Sequence, residues 1–439
     1  MPPPLSRADI LLRRACGSSA ATIIAARIKL EKHPHGNRIV LAGRDAYLDG
    51  ARGLLREVDH FGILPPLAIP SRTEAPPYYL KKHITLRSTT GAEFDITELT
   101  PRDQGTNGKC VVLMAGIGMS TEGFFRIGEA DPGTRDSILK RMIEKGFRVI
   151  IVDFPGIGKN KNYPSEKNDV DTIVDEIMPA FVQYLRTHPE LSERGLYFLS
   201  HSLGGIVLNL YMTRNKEQIL QDPAFAGLFK NKMTIATPET PLPDMHPFYP
   251  FILSFIPTVA PYLPRIPYNA LRGILGNILP YGITIGGPSH ISMVSANPAF
   301  SPALVKEMFD YSVQTFSLSL AMMMTESFRD GSFPGLTNTP PVWVPNQRNV
   351  RLVGHDDPLA PVEGLYARLV HDPAMHDRVA LVGLRSEELV DQVIPWIGRC
   401  PIVGIVADGM RHLDIACVNP DFDQRVWPII LTFLEEPIR

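Results

Sequence analysis

"GLYFLSHSLGGIVLNLY", residues 195–211, decides the fold. "LYFLS" is a short continuous apolar run, the pattern of a strand buried on both faces, and "GGIVLNLYMTR" restarts at once with helical spacing. Between them sits the polar knot Ser200-His201-Ser202. A strand that ends in a tight turn and restarts as a helix holds one side chain above the sheet edge, beside the free N–H groups of the helix start. The residues two before and two after that side chain must be small, because the turn brings their Cα atoms together. Ser202 has Ser200 before it and Gly204 after it, so "SHSLG" departs from G-x-S-x-G by one small residue. A bare helix N-cap also reads this way, so the rest of the chain must choose between turn and nucleophile.

Outward from this stretch the same rhythm recurs. "KCVVLMAGIG" (109–118) and "FRVIIVDFPGIG" (147–158) are apolar runs closed by glycines, with the helical pattern "DSILKRMIEKG" between them ending at Gly146. "VDTIVDEIMPAFVQYLRTH" (170–188) reads as a second helix and "KMTIAT" (232–237) as a fourth buried strand. Strand alternating with helix predicts a doubly wound parallel sheet. "HITLRSTTGAEFDITEL" (83–99) alternates around Thr90 and Gly91 as a hairpin does. Later, "RNVRLVG" and "PIVGIVAD" resume the strands, and "FDQRVWPIILTFLEE" closes as an amphipathic helix. The expectation is an α/β fold with a mostly parallel, eight-stranded sheet.

A serine hydroxyl needs a base to take its proton and a third group to orient that base. "VRLVGHDDPLAP" ends one strand with His355, Asp356 and Asp357, and "VADGMRHLDI" ends the last strand with His412 and Asp414. The order is Ser, Asp, His, with every group at the C-terminal end of an expected strand, where open parallel sheets form their sites.

With those residues assembled, the chain resembles the α/β-hydrolase superfamily, nearest to its lipase and esterase members, over roughly residues 80–439. The resemblance implies the α/β-hydrolase fold, Ser202 as nucleophile, Asp357 as acid through "GHDDPLAP", and His412 as base through "RHLDI". Asp356 is a competing acid and Glu239 a further alternative. From Asp357 to His412 is 55 positions, a long interval that "SEELVDQVIPWIG" fills as an extra helix. The family's oxyanion donors map to the backbone N–H groups of Leu203 and Ile117. In the loop "MAGIGMS", Ala115 stands where many members carry a histidine that buttresses the loop. The resemblance implies neither a cofactor nor a metal.

From Pro238 the rhythm stops. Residues 246–287 are apolar, broken by proline and glycine, and charged only at Arg265 and Arg272; a helix spanning a bilayer does not tolerate proline every few residues. "SPALVKEMFDYSVQTFSLSLAMMMTESF" then returns to helical spacing. These segments read as an inserted, mainly helical cap. Met322, Met323 and Met324 serve either as ordinary helix packing or as pocket lining. Met119, His201, Met322 and Met323 are the candidate pocket residues.

The domain reading is an N-terminal helical extension with a Pro-rich linker (1–80), a first core part (81–240), the cap (241–340) and a second core part (341–439). The first thirty residues are basic and amphipathic; an N-terminal helix on the body is the preferred reading, a transit-like segment the second, and the expected compartment is the cytoplasm. Lys and Arg total 44 against 46 Asp and Glu, for a net charge of -2, which leaves no electrostatic footprint for nucleic acid. The four cysteines have no CxxC or metal-ligand spacing. The expected partner is a small lipophilic ester, with peripheral lipid contact through the cap as a further expectation. The functions that remain are an ester hydrolase, a thioesterase or acyltransferase on the same acyl-enzyme, a catalytically silent ligand-binding homologue, and a peptidase, for which the cap offers no acidic or basic clamp on a peptide terminus.

Overall fold

The computed structural model describes residues 78–129, 136–163, 169–238, 346–357, 359–370, 379–384, 390–417 and 419–435, with shorter pieces between 304 and 344. The N-terminal extension, Glu239, Met322 and nearly all of the cap expected at 241–340 lie outside the described residues.

Among the described residues, nine strands form one sheet in the order β1-β2-β4-β3-β5-β6-β7-β9-β8. The hairpin of β1 (Tyr79–Arg87) and β2 (Glu93–Pro101) turns through Gly91 at φ 85° and occupies one edge, antiparallel to its neighbour. The remaining strands pair in parallel: β3 (Cys110–Met114), β4 (Arg148–Val152), β5 (Leu196–His201), β6 (Asn231–Ile235), β7 (Arg348–Gly354), β8 (Val379–Leu384) and β9 (Ile402–Ala407). The eight expected strands are all present, and the ninth, β8, adds itself to the far edge by pairing with β9 alone.

The continuous apolar runs have the physical cause expected of them. Side chains alternate across a strand, and both faces are covered. Val111, Leu113, Leu199, Ile235 and Ile405 enter one core cluster, while Cys110, Val112, Met114, Phe198 and Ile150 enter the other. The second cluster is closed by helices at 170–187 (α3) and Leu203–Arg214 (α4), the first by Ile138–Glu144 (α2) and Trp427–Glu435 (α7). A short helix α1 (Thr121–Phe125) follows the loop after β3, and α5 (Val362–Val370) and α6 (Val390–Arg399) surround β8.

Two helices carry a π-helical turn just before a proline: Ile173–Ile177 ahead of Pro179, and Phe422–Val426 ahead of Pro428. A proline inside a helix lacks the N–H of its turn and crowds the carbonyl four residues back; the wider turn absorbs both defects without breaking the helix.

Candidate active site

The end of β5 and the start of α4 meet in a turn whose central residue, Ser202, has φ 51° and ψ -117°. A non-glycine residue at positive φ is strained by its Cβ, at a cost of about 1–3 kcal/mol, and such strain persists only where the surroundings fix it. Here they do. Ser202 N–H donates to the Ile235 carbonyl (2.9 Å), Gly204 N–H to the Ala115 carbonyl (3.1 Å), and Gly205 and Ile206 N–H return to the Ser202 carbonyl. Ser200 is wholly buried in β5 between Met114 and Thr234, and its hydroxyl has no hydrogen-bond partner among the described residues.

The acid and histidine loops come together. His412 Nδ1–H donates to Asp357 Oδ2 at 2.9 Å, and both side chains are buried. The other oxygen, Asp357 Oδ1, accepts from the N–H groups of Leu359 (2.8 Å) and Ala360 (3.1 Å). The carboxylate is thus fixed by three donors and presents one edge to the imidazole. Asp356, the competing acid, turns the other way and pairs with His355 Nδ1 at 2.9 Å. Asp414 fixes its own loop by accepting from Arg411 N–H (2.9 Å). Among the described residues no hydrogen bond joins Ser202 Oγ to His412 Nε2.

The loop after β3 lies against the serine. A Cβ on Gly116 would sit 3.3 Å from Ser202 Cβ, so the loop comes as close as a glycine allows. Gly116 to Met119 form a turn closed by a 3.3 Å bond, with Gly118 at φ 67°. The backbone N–H groups of Ile117 and Leu203 accordingly have no acceptor among the described residues. In place of the histidine buttress, Ala115 N–H donates to Thr121 Oγ1 (3.3 Å), Thr121 Oγ1 to the Val152 carbonyl (3.0 Å), and Thr121 N–H to Asp153 Oδ1 (2.7 Å). Thr121 and Asp153 escaped the sequence reading. The usable signal was Asp153 just after β4, a strand end of the kind that held the serine, acid and histidine candidates.

The candidate pocket residues divide. His201 is 1% exposed and packs beneath the elbow rather than on an open wall. Burial, and the neighbouring His412 after it, hold its imidazole well below the ordinary 6.5, so it is neutral. Met119 packs on one core cluster and Met323 on the other. Cys110 and Cys417 are buried free thiols; burial pushes Cys110 up to about 12 and makes it inert. Among the described residues there is no cluster able to hold a metal ion, and no helix long and apolar enough to cross a membrane.

A mostly parallel sheet in this strand order, with a strained serine after β5, an acid after β7 and a histidine after β9, is the α/β-hydrolase fold. Residues 133–308 match the family model described as serine aminopeptidase, S33. Similar solved structures include a lipase in its open form (14% identity, TM-score 0.47, covering 81% of this chain and 98% of that one). An esterase of Pyrococcus furiosus aligns at 13% identity and TM-score 0.41, over 85% and 98% of the two chains. A soluble variant of monoglyceride lipase from Saccharomyces cerevisiae, in complex with a substrate analogue, aligns at 13% identity and TM-score 0.43, over 84% and 95%. No curated protein matches the chain in sequence.

Proposed function

We propose that this chain is a serine hydrolase that cleaves a carboxylic ester with a lipophilic acyl or alcohol group through an acyl-enzyme. Ser202 Oγ attacks the ester carbonyl while His412 Nε2 takes its proton; the oxyanion is held by the N–H groups of Leu203 and Ile117; His412 returns the proton to the leaving alcohol. Water, deprotonated by the same imidazole, then releases the acid. Asp357 keeps Nδ1 protonated and stabilises the imidazolium. The observation that carries the reading is the 2.9 Å Asp357–His412 bond on loops next to a serine held at φ 51°. An N-cap serine alone does not account for that pairing. The lipophilic group is inferred from the apolar, nearly uncharged stretch at 246–287.

The test is hydrolysis of p-nitrophenyl butyrate and laurate by wild type and Ser202→Ala, with fluorophosphonate labelling located by mass spectrometry. Ser202-dependent turnover and a label on Ser202 uphold the reading. An unlabelled, inert wild type overturns it in favour of a silent ligand-binding homologue. Faster turnover of an acyl-thioester moves the substrate class to thioesters, and faster turnover of an aminoacyl-4-nitroanilide moves it to amides, the chemistry that the matched family's description names.

A further inference from the structure

His201 has no role in the reaction as written, yet it touches both loops that the reaction needs. Its Nε2 lies 3.4 Å from the carbonyl oxygen of His412. Its ring stacks on Phe124, with centroids 4.6 Å apart and planes at 23°, and lies 4.8 Å from the His412 ring. On the remaining side, Gly116 approaches so closely that a Cβ there would stand 3.2 Å from His201 Nδ1. A carbonyl only accepts, so Nε2 carries the hydrogen and Nδ1 the lone pair, and Nδ1 has no partner among the described residues.

We propose, resting on the ester-hydrolase reading above, that His201 is a positioning residue: its Nε2–H ties the His412 loop to the elbow while its ring supports the oxyanion loop at Gly116. Successive side chains at a strand end point to opposite faces, so the residue beside the nucleophile cannot meet the substrate where Ser202 does and acts through what it packs against. His412 is the titratable group that faces it. A proton on Nδ1 would bury an unpaired donor and set a second cation beside the imidazolium that His412 becomes. A neutral ring avoids both.

The experiment uses the full chain with H201F, which keeps a stacking ring but no donor, and H201Q, which returns an amide N–H to the place of Nε2–H. Displacement of a catalytic group by about 1 Å costs on the order of a hundredfold, so H201F should lower kcat on p-nitrophenyl butyrate by about 10- to 100-fold with KM changed less than about threefold. H201Q should recover at least about tenfold of that loss. Retention of kcat in H201F within about twofold, or equal loss in H201F and H201Q, overturns the proposal. Should H201F not fold, H201N, whose amide sits at the Nδ1 position, replaces it, and equal rates in H201N and H201Q count against the proposal. Nitrogen-15 spectra of the histidines decide the matter independently of turnover: wild-type His201 should be the neutral Nε2–H tautomer, and the His412 Nδ1–H signal should shift or broaden in the donor-free variant. An unchanged His412 signal overturns the inference even if the wild type hydrolyses nothing, which would itself overturn the ester-hydrolase reading.

Discussion

Gly204 passes so close to Met114 that a Cβ on the glycine would lie 2.6 Å from the Met114 carbonyl oxygen. The obstacle is backbone of a central strand, which has no rotamer to yield. This contact sets how deeply α4 seats on the sheet, and so where Ser202 stands. Gly204→Ala should destabilise by about 2–3 kcal/mol, measured by urea unfolding. Gly227, with nothing within 4 Å of the place its Cβ would take, is the control: Gly227→Ala in the helix Pro223–Leu228 should be neutral or stabilising by up to about 1 kcal/mol.

Adjacent carboxylates give the sharpest test of the acid. Asp357→Asn leaves the shape but offers His412 an amide, which can hold the wrong tautomer, and should lower kcat by about 10³–10⁴-fold. Asp356→Asn removes only the contact with His355 and should leave kcat within about twofold, because that pair is half in solvent. Steady-state kinetics on p-nitrophenyl butyrate separates the two; the reverse ranking would assign the acid to Asp356.

Much of this arrangement was legible in the sequence for identifiable reasons. Strands buried on both faces are largely apolar, and six such strands, β3 to β7 and β9, were visible with the helices 138–144, 170–187 and 203–214 between them, although β6 and β7 also bury Lys232, Arg348 and Arg351. The edge strand β8, "VALVGL", was passed over because a short apolar run flanked by charged segments has no periodicity to separate it from a loop. The Thr121–Asp153 contact joins residues 32 positions apart, and no local pattern encodes it. His201 reads from the sequence as a structural or pocket-wall residue pointing away from the side of Ser202; its stack on Phe124, 77 positions earlier, is what no local spacing encodes.

Positive φ at Ser202 makes the identity of its replacement matter. Ser202→Ala and Ser202→Gly both delete the proposed nucleophile, but alanine keeps the Cβ that strains the turn and glycine does not. The glycine variant should unfold at higher urea than the alanine variant by about 1 kcal/mol, both being inactive, provided the strain is held in the free protein. Equal midpoints would mean that the turn relaxes once the hydroxyl is gone.

Burial raises the Asp153 carboxyl from the ordinary 3.8 to about 6, against the lowering effect of its bonds with Thr121. A group whose folded value lies above its unfolded value stabilises when protonated, and that contribution disappears as pH rises through the folded value. Asp153 therefore favours the fold below about pH 4 and opposes it progressively from there to just above pH 6. Two pKa units correspond to about 3 kcal/mol as an upper bound. Asp153→Asn keeps an oxygen for Thr121 N–H and does not ionise. Its stability relative to wild type should climb by up to about 3 kcal/mol between pH 4 and 7, followed by urea unfolding at several pH values. Parallel curves for the two proteins would show that the carboxylate is accommodated without cost, and the oxyanion loop would then rest on a permanently charged support.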